Sequence, residues 1–114
     1  MITRSDGTCI ATNIEYADTR FKQSLGLMFR SRIENDYALV FELKEQRVCD
    51  VHMLFVPFDI DVLFLDEFRT VFMIDILKAW TGRVKTFNDA KYIIEMKSGS
   101  VIEKNISVGD IFIF

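Results

Sequence analysis

Phe58-Asp59-Ile60-Asp61-Val62-Leu63-Phe64-Leu65 decides how this chain folds. Ile60, Val62 and Phe64 alternate onto one face of an extended strand, and Asp61, Leu63 and Leu65 onto the other. Both faces are apolar apart from Asp61. A strand of this kind is buried on both sides, so it runs through the middle of a barrel or sandwich and not along a half-wet edge.

Working outward, Val48 to Val56 predicts a strand before Pro57. Thr70 to Leu77 repeats the alternation, with Val71 and Met73 opposing Phe72 and Ile74. Asp66-Glu67-Phe68-Arg69 between them lacks an Asn-Gly pair, which predicts a longer loop in place of a two-residue hairpin turn. Thr8 to Tyr16, Tyr37 to Leu43, Lys91 to Met96 and Ile111 to Phe114 read as further strands. Lys78 to Asn88 has no clear period and reads as a loop around Trp80 and Gly82. A short helix is predicted from Asp18, a side-chain N-cap, through Phe21 and Leu25 to a left-handed cap at Gly26. Val101 to Lys104 can make one helical turn, with Asn105 as its left-handed cap. The expected fold is mainly β, a small antiparallel β-barrel or sandwich of about seven strands with one short helix.

The chain has 114 residues, which suits a single domain over 1–114; two halves would each be too short to bury a sound core. Half of the residues are hydrophobic, 27% are charged, and mean hydropathy is +0.18, which excludes a disordered chain. Eleven Phe against five Gly and one Pro point to a packed core with little chain left for loops. The longest uncharged runs, Val51 to Phe58 and Gly7 to Ile14, fall far short of the roughly 20 residues of a membrane span. Met1 to Asp6 carries no apolar signal core, and the expectation is a cytoplasmic protein. A net charge of -3 with pI near 5.1 argues against general nucleic-acid binding. Positive charge nevertheless collects at Arg20, Lys22, Arg30 and Arg32, and again at Lys78, Arg83 and Lys85. Solvated loops account for this better than an anion site does.

Cys9 and Cys49 are too few for a disulfide-stapled secreted domain and read as buried free thiols. His52 is the lone histidine. Cys49 and His52 are an odd number of residues apart, so they face opposite ways on a strand. A zinc site on Cys9, Cys49 and His52 would also lack a fourth ligand, so no metal is assigned. No phosphate-cradling loop or other cofactor motif occurs. Asp61 carries more information. An unpaired carboxylate among Ile60, Val62, Leu63 and Leu65 is costly. It either accepts from backbone amides at a strand junction or lines a pocket, where it can pair with His52 across Pro57. Trp80, beside Lys78, can stack on a planar ligand or simply cover one end of the fold.

Three ordered blocks then resemble one family. Gly26-Leu27-Met28-Phe29-Arg30 resembles the GLMFR signature of the family labelled domain of unknown function 192. His52 to Asp66 resembles its central motif, and Ala90 to Met96 with Gly99 and Val108-Gly109-Asp110 is similar to its C-terminal blocks. Asp59 and Lys97 stand where the family pattern has Pro, and Asn105 where it has Gly. The resemblance implies a small all-β fold and brings no reaction. The function read from the sequence is a small ligand-binding module. Its pocket would carry Arg30, His52, Asp61 and Trp80 and take a small polar or anionic molecule. An enzyme using His52 and Asp61 as an acid–base pair, or a protein-interaction domain with partly exposed Phe residues, are the alternatives.

Overall fold

A computed structural model describes residues 1–17, 27–28 and 30–114. The helix expected from Asp18 to Gly26 lies outside the described residues. Ten strands and one helical turn follow in order: β1 (Ile2–Arg4), β2 (Cys9–Ala11), β3 (Asn13–Ala17), β4 (Tyr37–Arg47), β5 (Asp50–His52), β6 (Ile60–Leu65), β7 (Val71–Leu77), β8 (Arg83–Lys85), β9 (Ala90–Lys97), α1 (Ser100–Glu103) and β10 (Phe112–Ile113).

The central sheet has the order β3-β4-β9-β6-β7. Its pairs are antiparallel except β3–β4, which run parallel. A three-stranded sheet, β10-β1-β2, and a two-stranded one, β5-β8, complete the described part. The fold is therefore mainly β, as its alternating segments predict, but the described strands close no barrel. They also exceed the expected number. β1 and β8 have three residues each, too few to show a period, and β8 emerges within the segment read as a loop. Thr8 to Tyr16 is not one strand either: it breaks at Thr12, so β2 and β3 join different sheets. Thr12 and Asn13 both donate their backbone N–H to the Asp36 carbonyl at that break.

All six residues of β6 are buried. Ile60, Val62 and Phe64 enter one apolar cluster with Phe41, Ile93 and Met53. Leu63 and Leu65 enter the other, against Ile94, Ile10 and Phe112. β9 is divided in the same way, with Ile93 and Glu95 opposite Tyr92, Ile94 and Met96. The β10-β1-β2 sheet covers one face of the central sheet through Ile2, Ile10 and Phe112. Val51 and Val84 of β5-β8, with Met53 and Val56, pack on the other.

The β6–β7 connection dispenses with Asn-Gly by using the Asp66 side chain. Its Oδ1 accepts from Phe68 N at 2.8 Å and Thr70 N at 3.0 Å, and Arg69 takes φ 62°. Asn105 likewise adopts the left-handed conformation expected of it, φ 54°. At the edge strand β7, the Asp75 carboxylate accepts from the backbone N–H of Ile76 at 2.8 Å. Gly82 is dictated by contact: a Cβ there would lie 2.7 Å from the Lys78 backbone nitrogen. Its carbonyl accepts from Met53 N, which seats the segment after β5.

Phe64 is fully buried in the central strand. Phe64→Ala is expected to cost about 3–5 kcal/mol in a denaturant titration; a loss below about 1 kcal/mol would contradict its place in the core.

Candidate functional site

The face of the central sheet under β5-β8 is not completely filled. A cavity of about 470 Å³ opens there, within the size range of small-molecule sites. Phe41, Ile60 and Ile93 supply apolar floor, Glu95 supplies a carboxylate, and Arg47 and His52 lie towards solvent. β9 carries Glu95 into this space because the strand's period of two puts residue 95 on the same face as Ile93. Glu95 is 5% exposed. Burial pushes its carboxyl up to about 7, against the opposing pull of the Arg30 charge. Among the described residues no hydrogen bond or ion pair reaches it.

Glu95 sits in a row across the sheet: Leu39 of β4 is its register partner, and Glu15 of β3 is Leu39's. Arg30 joins this row from the side. Its guanidinium donates to Glu15 Oε2 at 2.6 Å and to the Tyr37 hydroxyl at 2.9 Å, and that hydroxyl donates to Glu15 Oε1 at 3.0 Å. The hydrogen bond to Glu15 holds Arg30 above its ordinary pKa, while burial raises that of Tyr37. Arg30 therefore acts on Glu95 as a nearby charge whose direct partners are Glu15 and Tyr37.

The other sequence-selected residues separate. His52 is exposed at the end of β5, opposite Arg83 in the register, and its Nδ1 accepts from Leu54 N at 3.4 Å. β5 pairs with β8, and no strand is shared between His52 and Asp61. Asp61 is fully buried on the opposite face of β6 from the cavity-lining Ile60. Its Oδ2 accepts from Val101 N at 2.9 Å in the first turn of α1, while Oδ1 has no partner among the described residues. The pairing of His52 with Asp61 expected across Pro57 is thus not formed. The segment after His52 turns instead of continuing as a strand to Val56, with Val56 N donating to the Met53 carbonyl. Trp80 is about half exposed, takes φ 66° and meets the Phe55 ring edge-on at 5.7 Å, outside the cavity lining. Asp59 has a role that its replacement of Pro makes visible: its Oδ1 accepts from Ala79 N at 2.8 Å and fixes the loop before Trp80.

Cys9 and Cys49 are free thiols, and burial raises the pKa of the Cys49 thiol. Among the described residues no group of three or more His, Cys, Asp or Glu side chains could hold a metal ion. No described helix is long and apolar enough to cross a membrane.

The sequence reading missed Glu95, although the signal existed. Tyr92 to Met96 is apolar on both faces apart from this acid, but Lys91 shares the face of Glu95 and makes it resemble a solvated one, unlike the face of Asp61.

The fold and the cavity define a class: a mainly β domain with a twice-covered central sheet and an acid in the floor of a small cleft. The chain belongs to the family described as Uncharacterized ACR, domain of unknown function 192, whose model matches residues 1–114. It is 37% identical over 112 residues to a UPF0127 protein of Pyrococcus furiosus, covering 96% of this chain and 93% of that one. A UPF0127 protein of Thermococcus sibiricus is also 37% identical, over 96% of this chain and 71% of its own length. A crystal structure of a Novosphingobium aromaticivorans protein of unknown function shares the fold. Its TM-score is 0.86 at 20% identity, over 99% of this chain and 83% of the other. A Sinorhizobium meliloti protein provisionally described as a transcription regulator does so with TM-score 0.80 at 23% identity, over 88% and 79%. At these identities the two structures show the fold alone.

Two measurements check these assignments. Glu95 in the unfolded chain should titrate near the ordinary 4.5, against about 7 when folded. The folded state therefore binds the extra proton between these values, so stability is fully present below pH 4.5 and is lost as pH rises through 7. The loss is about 3 kcal/mol, and Glu95→Gln should flatten it in denaturant titrations from pH 4 to pH 8. Asp61→Ala should destabilise by about 1–3 kcal/mol at any of these pH values, because Val101 N loses its acceptor. A neutral Asp61→Ala would remove Asp61 from the capping role.

Proposed function

We propose that this domain is a binding module for a small molecule with an apolar body and one polar group, seated in the cleft between the central sheet and β5-β8. The observation that supports it is Glu95, buried and without a hydrogen-bond partner among the described residues, in the floor of a 470 Å³ cavity. A carboxyl in such a place costs stability, and proteins keep that cost where a ligand meets the group. In this reading His52 and Arg47 flank the mouth, Arg30 acts on Glu95 from beyond Glu15, Asp61 is the cap of α1, and Trp80 belongs to a neighbouring loop. Catalysis is the weaker reading. His52 and Asp61 do not meet, and the cavity's own thiol, Cys49, is shifted away from the thiolate that a nucleophile requires.

The test is an amide-resolved NMR screen of small amphiphiles. Bound compounds should shift Phe41, Ile93 and Glu95, and Ile93→Phe, which narrows the cavity, should abolish those shifts while leaving the rest of the spectrum in place. Hits mapping elsewhere, or unaffected by Ile93→Phe, would overturn the reading.

A further inference from the structure

We infer that the ligand class of this cleft is an organic cation, an ammonium group on an apolar chain or ring, with Glu95 as its counter-ion. The inference rests on the binding-module reading and adds the charge of the ligand. Three observations carry it. Glu95 is buried, lines the cavity and has no partner among the described residues, so the polar group it lacks is a donor or a cation. Arg30, whose charge acts on Glu95, directs Nη2 to Glu15 at 2.6 Å and Nη1 to the Tyr37 hydroxyl at 2.9 Å instead. Phe41, Ile60 and Ile93, which line the same cavity as the carboxyl, suit a hydrocarbon body. An anion is the poorer fit. At the floor it would bring a second negative charge against Glu95, away from Arg47, which lies towards solvent; the Asp50 carboxylate at the mouth is already bound twice by Arg83, at 2.6 and 3.0 Å.

The charged and titratable groups around Glu95 come from every neighbouring element. Glu15 lies on β3, Arg30 precedes β4, and Tyr37 and Arg47 lie on β4. Cys49, Asp50 and His52 belong to β5 and its approach; Asp75 is on β7 opposite Val62, and Lys97 is two residues on in β9. Of these, His52 is the lone histidine and lines the mouth of the cleft. Its contribution is separated by substitution.

The experiment titrates hexylammonium, hexanoate and hexanol into the protein by calorimetry at pH 8 and pH 5.5. Hexylammonium keeps its charge at both values, whereas Glu95 loses its own at the lower one. Ammonium affinity should therefore fall about thirty-fold from pH 8 to pH 5.5, in proportion to the ionised fraction. Hexanol should change little, and hexanoate should bind more weakly than both at pH 8. His52→Gln should retain the ammonium pH dependence, and Glu95→Gln should weaken hexylammonium at least tenfold at pH 8 while still taking hexanol. Where Glu95→Gln does not fold, the wild-type carboxyl resonance of Glu95 serves: saturating hexylammonium should move its titration midpoint down by a pH unit or more. Binding of hexanol or hexanoate without preference for the ammonium overturns this inference and leaves the binding module standing. An ammonium pH dependence that disappears in His52→Gln also overturns it. No binding by any of the three probes overturns both.

Discussion

The structure depends on the burial of one sheet from both sides. β6 has no polar face to offer water, so it needs apolar cover above and below. The β10-β1-β2 sheet supplies that cover on one side, and β5-β8 with the turn after it supplies it on the other. This requirement explains why very short strands persist at all. β1, β2, β5 and β8 have three residues each and hold their places through what they cover.

The same constraint makes the two buried acids informative. Asp61 and Glu95 sit on adjacent central strands, one on each face. The two faces treat them differently. Below Asp61 the chain returns with α1, and a backbone amide meets the carboxylate. Above Glu95 the small β5-β8 sheet leaves space, and the carboxyl meets a cavity. One acid closes a junction, and the other has no hydrogen-bond partner among the described residues.

Much of this was legible in the residues. Alternation in Tyr37 to Leu43, Phe58 to Leu65, Thr70 to Leu77 and Lys91 to Met96 placed the central strands, because long two-faced runs admit few other arrangements. Asn105 was legible as a left-handed cap for the same local reason. The parallel pairing of β3 with β4 was not, since alternation says nothing about direction. Nor was the face on which each acid lies relative to the cleft. A period of two distinguishes the faces of a strand but cannot say which of them the chain later covers incompletely. The pairing of His52 with Asp61 presupposes two strands adjacent across Pro57; the turn after β5 and the pairing of β5 with β8 place β5 in a different sheet from β6.

The Asp75 carboxylate at β7 has a consequence for how these molecules tolerate crowding. An open sheet ends in a row of unspent backbone donors and acceptors, and a second molecule can extend the sheet by adding a strand there. At β7 the Ile76 N–H is already occupied by the neighbouring carboxylate, and an added strand would have to displace it and bury a negative charge against its own backbone. A strand laid along β7 would therefore have to accommodate the Asp75 carboxylate where it holds the Ile76 amide, while at the other end of β7 Val71 is already paired with Gly109 and Asp110.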